Sequence, residues 1–438
     1  MYCGYIVELK GLRKHNNADR LQCVEVFGNN VIVSLDYYDG QKCVFFPTDG
    51  QLSEKYATEN NLVRIKDENG NNIGGYLDPD KRNIKAMRLR GEKSEGLLMP
   101  IETLVPYVDV NTLTVGDKIT TLNGETICQK YIPRRNNVSC KSDTASKKNK
   151  LKPSVNYPIF KEHVDTEQLM YNQAAFKVGD KCTITLKCHG TSGRTQYSLE
   201  KSDIKQNFFQ KLLKKPVKQK TQWQTISGTR RTVLQNYEGG YYGSNAFRQP
   251  YHEFFKGKLE KGESIYYEIV GWANPTTTIM GTCDNKKFQD KSIKKQYGDK
   301  MVFSYGCEAG QNDCYVYRMT LTNEDGYTVE YPDWLMRLRC EQMGVKCVPL
   351  FETFTFTTWE DLMERVEKYY DGADPIGKTH IREGVVVRIE NRPTFKAYKH
   401  KNWTFRLVEG IAKETAEAPD IEEAEELIAE AGEADDNT

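Results

Sequence analysis

The sequence predicts a two-domain α+β protein, with a small β-barrel at the N-terminus and a mixed α+β domain after it. Three observations predict this. The chain has 438 residues, and single cores usually stop growing near ~250 residues. Up to about Ile127 apolar residues alternate in short runs broken by turn residues, the pattern of a small barrel. From about Asn156 strand-like runs flank a segment of helical rhythm, the pattern of an α+β domain.

In the first domain, residues 1–130, strands are expected at Gln22–Phe27, Asn30–Asp36, Gln41–Phe46 and Asn83–Leu89. Turns are expected at Gly28–Asn30 and Tyr38–Gly40. Residues 131–155 carry Arg134-Arg135-Asn136-Asn137, a Ser/Asp/Thr run and Lys147-Lys148-Asn149-Lys150, with few apolar side chains; they read as a linker. In the second domain, 156–408, strands are expected at Lys181–Leu186, Ser264–Val270, Met301–Tyr305 and Gly384–Ile389. A helix is expected over Trp359–Val366, with Thr357 and Thr358 as capping residues. Residues 409–438 form an acidic tail of Glu and Ala, read as a solvated helix or a disordered segment.

Composition excludes several classes. With 38% hydrophobic and 28% charged residues, the chain fits a globular protein rather than a disordered or membrane one. Met1–Tyr5 lacks the basic segment and long apolar run of a secretory signal, so a cytoplasmic location and no membrane partner are expected. The 12 cysteines are scattered and several sit in strand-like runs, which suits buried reduced thiols better than a disulfide framework. No CxxC pair and no paired histidine spacing occurs, which argues against structural zinc. The net charge of +1 hides an asymmetry, because the tail from Glu409 carries −11 and leaves +12 on the rest. A basic body is able to hold phosphate backbones.

Chemistry concentrates in Thr183-Ile184-Thr185-Leu186-Lys187-Cys188-His189-Gly190-Thr191-Ser192-Gly193-Arg194, a β run that ends in a lysine beside a glycine turn. A lysine leaving a strand there is open to substrate. Its ordinary pKa of roughly 10.4 makes it a poor nucleophile at neutral pH, so nearby positive charge is expected to favour its neutral form.

This segment resembles the nucleotide-binding motif of the covalent nucleotidyltransferases, the polynucleotide ligases and mRNA capping enzymes. The rest of the family's set follows in order. Tyr266-Tyr267-Glu268-Ile269-Val270-Gly271 resembles the third motif and Met301-Val302-Phe303-Ser304-Tyr305 the aromatic strand after it. Arg382-Glu383-Gly384-Val385-Val386-Val387-Arg388 resembles the fourth, and Lys399-His400-Lys401-Asn402 the fifth. Ser227-Gly228-Thr229-Arg230-Arg231 resembles the arginine motif, behind an apparent basic insertion at Lys205–Lys220.

The resemblance implies roles. Lys187 would take AMP from ATP, with Glu383, Lys399 and Lys401 as further catalytic residues. Leu186, Gly190, Arg194, Arg230, Arg231, Glu268 and Tyr305 would bind the nucleotide, Tyr305 by stacking on adenine. Glu383, and after it Glu268, would hold hydrated Mg2+ or Mn2+. His189 stands where many members have aspartate.

Within the family, only 37 residues follow Lys401 and they form a largely acidic stretch with twelve Asp and Glu, too few for the C-terminal barrel of DNA ligases and capping enzymes. The barrel candidate is N-terminal, an order similar to ATP-dependent RNA ligases with an N-terminal OB-like barrel before a nucleotidyltransferase domain built on antiparallel sheets. His15–Leu21 and Arg88–Gly96 are similar to the barrel of tRNA-binding modules. The resemblance therefore implies RNA as partner, with nicked duplex and tRNA both open, joined through lysyl-AMP and RNA-adenylate in RNA repair, and no obligate protein partner. The alternatives are a GTP-dependent capping guanylyltransferase and a tRNA-binding module with an inactive catalytic domain.

Overall fold

The computed structural model describes residues 2–66, 68, 72–75, 77–131, 155–204, 219–239, 242–288 and 291–414. By its contacts the chain forms two compact units, Met1–Arg134 and Arg135–Thr438. Among the described residues no helix is long and apolar enough to cross a membrane. Most of the linker, the basic insertion at 205–218 and the tail from 415 lie outside the described residues.

The first unit is built of short antiparallel strands. Gly4–Glu8 pairs with Lys42–Phe46 and Lys118–Ile119, and Leu97–Pro100 completes a four-stranded sheet beyond Lys42–Phe46. Arg13–Lys14, Leu21–Val26 and Asn29–Ser34 form a three-stranded sheet. Alternation works as expected in these runs: Val31 and Val33 are buried while Ile32 and Ser34 are half-buried. The core gathers Ile6, Val44, Phe46, Leu52, Tyr56, Leu104, Ile119 and Ile127.

Two expectations change here. Among the described residues the paired strands make separate sheets rather than a closed barrel. The four-stranded sheet ends on the two-residue Lys118–Ile119 strand, and so short an edge offers few backbone groups for closure. The first hairpin turns at Phe27–Gly28, with φ of 50° and 70°, and Asn29 already pairs with Val26. Two successive positive φ values suit a two-residue turn that follows the strand twist. Phe27 tolerates its conformation because its ring packs edge-on against Tyr5 at 5.4 Å.

The two tRNA-module-like segments meet in this unit. His15 is buried, its Nε2 lies 3.2 Å from the Leu89 carbonyl, and its Nδ1 accepts from the Asn17 amide at 3.0 Å. Arg13 pairs with Glu92 at 2.6 Å. These contacts tie the 15–21 turn to the hairpin of Ala86–Leu89 and Glu92–Glu95.

The second unit consists of two antiparallel-rich sheets with helices around them. One has the strand order Glu167–Gln168, Ala397–Lys401, Gly384–Ile389, Lys181–Leu186, Leu350–Thr355. All its pairings are antiparallel except the first. The other has Val155–Asn156, Thr191–Asp203, Glu263–Asn274, Asn312–Thr322 and Thr328–Glu330 in order, with Gln219–Gly228 paired to Thr191–Asp203. The expected strands at Lys181–Leu186 and Gly384–Ile389 have the observed bounds. The expected helix runs over Trp359–Tyr369, and the Thr358 side chain accepts from the Asp361 amide at 3.2 Å. Its Leu362 and Val366 bury against Ile184, Val385 and Val387.

Met301–Tyr305 differs from expectation. Only Lys300–Met301 is strand, and the chain turns at Tyr305, where φ is 52°. The aromatic strand beside Glu263–Asn274 is instead Asn312–Thr322.

Candidate active site

Lys187 occupies the point where the chain leaves one sheet for the other. In Lys181–Leu186, Cys182, Ile184 and Leu186 are buried in apolar packing, so period-2 alternation turns Thr183, Thr185 and Lys187 to the opposite face. Four residues later the chain enters Thr191–Asp203 in the second sheet. Such a short crossover demands close backbone approach. A Cβ at Gly190 would lie 2.3 Å from the Ile269 carbonyl oxygen, and one at Gly384 2.1 Å from that of His400. The Lys187 amide donates to the Gly384 carbonyl at 3.1 Å, which fixes the lysine beside Glu383.

The Glu383 carboxylate collects cations. Its Oε1 is 2.9 Å from Lys187 Nζ and 3.3 Å from Lys401 Nζ, and its Oε2 is 3.7 Å from His189 Nδ1. Glu383 is 2% exposed. Burial pushes its pKa up, but Lys187, Lys401 and His189 outweigh burial and hold it at about 2. For Lys187, burial and Lys401 favour the neutral amine, while Glu383 favours the ammonium and prevails, so its pKa is raised. Lys401 supplies the expected push; Glu383 overrides it.

A cavity opens above this group between the two sheets. Its lining includes Thr183, Thr185, Leu186, Lys187, Glu268, Arg230, Val386, Arg388 and Ala397. Ala397 and Lys401 lie on one face of their strand by alternation, and Lys399 stands between them on that face. Glu268 pairs in register with Ser192 on one side and Tyr315 on the other.

The sequence-derived candidates divide. Lys187, Leu186, Glu268 and Arg230 line the cavity, and Lys401 and Glu383 meet at Lys187. Arg230 also pairs with Asp165 at 2.9 Å. Arg231 is outside the lining; its carbonyl accepts from Arg194. Arg194 is 2% exposed and donates to the carbonyls of Thr229, Phe160 and Arg231 at 2.9, 3.3 and 2.6 Å. It holds the Thr229–Arg231 turn. Tyr305 is buried behind the crossover, where its hydroxyl accepts from the His189 amide at 2.6 Å and its ring packs on His380. It braces the lysine loop from outside the cavity lining.

The aromatic lining comes from residues the sequence reading missed: Tyr317, His163 and Phe395. Tyr317 owes its position to a β-bulge. Tyr266 pairs with Arg318 and Tyr267 with Val316, leaving Tyr317 as the extra residue. A bulge re-aims a side chain, and Tyr317 stands between the core residues Cys314, Tyr315 and Val316 before it and Met319 after it. The Tyr317 hydroxyl lies 2.9 Å from Ser192 Oγ, and His163 packs on its ring at 5.1 Å. Burial, then Arg318, Arg230 and Arg194, keep His163 neutral, its pKa well below the usual range.

A divalent ion fits the donor set in one way. Among the described residues no group of three or more His, Cys, Asp or Glu side chains is placed to hold a metal. Glu383 Oε2 is buried and accepts no hydrogen bond from the described residues. One or two carboxylates plus ligand phosphates suit a hydrated Mg2+ or Mn2+ rather than a protein cage.

No protein-family model matches the chain, and no curated protein does. Solved structures do match. A lysine-to-alanine mutant of Naegleria gruberi RNA ligase with ATP and Mn aligns with a TM-score of 0.57 at 16% identity, over 92% of this chain and 98% of that one. An aspartate-to-alanine mutant of the same enzyme, apo, gives 0.57 at 16%, over 92% and 97%. The enzyme with PPi gives 0.53 at 17%, again over 92% and 97%. At such identities the likeness establishes fold, and it is the fold of RNA ligase structures over nearly the whole of both chains.

Proposed function

We propose that this chain is an ATP-dependent RNA ligase that joins 3′-OH and 5′-phosphate RNA ends, with Lys187 as the nucleophile. The observation that carries the reading is Lys187 against Glu383 and Lys401 at a cavity with Glu268, in a fold whose solved examples include an RNA ligase with ATP and Mn. ATP and a divalent ion are accordingly its co-substrate and cofactor.

In the first step Lys187 Nζ, having lost a proton to solvent, bonds to the α-phosphorus of ATP as the bond to the β-phosphate oxygen breaks and pyrophosphate leaves. Lys401 stabilises charge gathering on the α-phosphate. Glu268 faces the ribose, Tyr317 and Val386 flank the base, and Arg230 meets phosphate. Arg194 and Tyr305 position their loops. A divalent ion bound through water at Glu383 and Glu268 would add positive charge there and weaken the hold of Glu383 on the Lys187 proton. In the second step AMP passes from Lys187 to the RNA 5′-phosphate as an anhydride; in the third the 3′-OH attacks that phosphate and AMP leaves. Nicked duplex and tRNA are both candidate substrates for the strand-built first unit, and repair of broken RNA is the role such joining serves.

The test incubates the protein with 5′-labelled RNA, with and without a bridging strand, and either ATP or GTP. ATP-dependent conversion of label to a phosphatase-resistant joined product is expected. A covalent GMP adduct with no joining would make the protein a capping enzyme. RNA binding without any adduct would leave a binding module with an inactive catalytic domain.

A further inference from the structure

The far end of the cavity holds polar groups that phosphate and sugar chemistry leaves unused. Thr183 pairs with Arg388, Thr185 with Val386, and the Lys187 amide bonds Gly384. Arg388 is thus four residues along the strand from Gly384, about 13 Å at ~3.3 Å per residue. A nucleotide with its phosphate at Lys187 and its base against Val386 would have its outer edge toward Arg388.

Arg388 is 7% exposed and lines the cavity. Its Nη2 donates to the Tyr331 carbonyl at 2.5 Å and lies 3.9 Å from Glu330 Oε2. Glu330 is already engaged by Arg318 through both oxygens. Nε is 3.5 Å from Glu390 Oε2, and the guanidinium stacks over Phe395 at 5.2 Å. Nε and Nη1 nevertheless have no hydrogen-bond acceptor among the described residues. Buried donors of this kind are rare and call for an explanation. Asp333 lines the same end at 7% exposure. Its amide donates to Glu390 Oε2 at 2.9 Å, and its Oδ2 accepts from Arg337 at 2.7 Å. A donor and an acceptor therefore line the same partly aromatic cavity.

We propose that Arg388 and Asp333 read the Watson–Crick edge of the adenine, Arg388 donating to ring N1 and Asp333 accepting from the 6-amino group. This rests on the ATP-dependent reading above. It gives the slot its base specificity: an arginine that binds both its neighbours and the ligand is pre-organised, and loss of either ligand atom leaves a buried group unpaired.

The test measures the rate of lysyl-AMP formation against concentration for ATP, 1-deaza-ATP (no N1 acceptor) and purine riboside triphosphate (no 6-amino group). With wild-type protein both analogues should raise KM about tenfold or more while kcat changes less. Arg388→Met should raise KM for ATP similarly and remove the preference for ATP over 1-deaza-ATP, with Arg388→Lys in between. Asp333→Asn should narrow the gap between ATP and purine riboside triphosphate. Wild-type protein using 1-deaza-ATP as readily as ATP overturns the Arg388 assignment without any variant having to fold. Absence of a lysyl adduct with ATP itself would instead overturn the ligase reading and this inference with it.

Discussion

Replacing Glu383 with glutamine removes the charge that two ammonium groups share while keeping the shape of the side chain. Lys187 Nζ and Lys401 Nζ lie 2.9 and 3.3 Å from the same oxygen, and Glu383 is 2% exposed. Removing one partner of a buried pair costs ~3–5 kcal/mol; the lower figure applies, because the Lys187 side chain is 24% exposed. About 3 kcal/mol in a large domain corresponds to a Tm lower by roughly 6 °C. Adding Lys401→Met should return much of that loss, because the uncompensated cation is what costs stability. The same change alters chemistry. Without Glu383, burial and Lys401 both favour the neutral amine, so the limb on which lysyl-AMP formation rises with pH should move to lower pH even as the maximum rate falls. Calorimetry together with single-turnover adenylylation from neutral to alkaline pH provides the assay. An unchanged Tm and an unmoved limb would refute the claim that Glu383 governs the charge of Lys187.

Four further outcomes are expected. Glu383 has a folded pKa of about 2 against 4.5 ordinarily, so the stability it contributes is present above 4.5 and lost as pH falls toward 2; an acid titration of Glu383→Gln should show a shallower decline than wild type. Gly190→Ala should cost ~1–3 kcal/mol or more and slow adenylylation, since its Cβ would meet backbone at 2.3 Å; wild-type melting would deny the tight crossover. Tyr317→Leu should raise KM for ATP, whereas Tyr305→Phe should cost ~1 kcal/mol of stability through the lost acceptor at His189 and leave KM nearly unchanged; the opposite pattern would return stacking to Tyr305. A protein starting near Asn156 should keep adenylylation and lose RNA joining, with weaker and less salt-sensitive RNA binding; equal joining by both forms would end the division of labour between domains.

The legible parts of the fold are those where alternation has a single phase. Lys181–Leu186 and Gly384–Ile389 bury one face each in the core around Ile184, Val385 and Val387, so their bounds follow from the spacing of apolar residues. Lys187 stands just beyond the first of those strands and Glu383 just before the second; the lysine was legible as the end of a β run, and the glutamate only through its resemblance to the family's fourth motif. Tyr317 was hidden because a bulge is one extra residue in register, and nothing in Tyr315-Val316-Tyr317-Arg318 announces it. Arg194 and Arg231 entered through their resemblance to the family's motifs; that the Arg194 guanidinium donates to the carbonyls of Thr229, Phe160 and Arg231 is visible only in the fold. The first unit misled for another reason, since alternating strands specify faces but not closure, which depends on how strand edges pair.

The most direct measurement is where AMP attaches. After incubation with ATP and Mg2+, a protease digest read by mass spectrometry should carry one adenylyl group, acid-labile as a phosphoramidate is, on the peptide containing Lys187. The Lys187→Ala protein should form no adduct yet still seal some pre-adenylylated RNA, because that final step requires no new bond to the lysine. An adduct on another residue, or undiminished adduct in Lys187→Ala, would contradict the account.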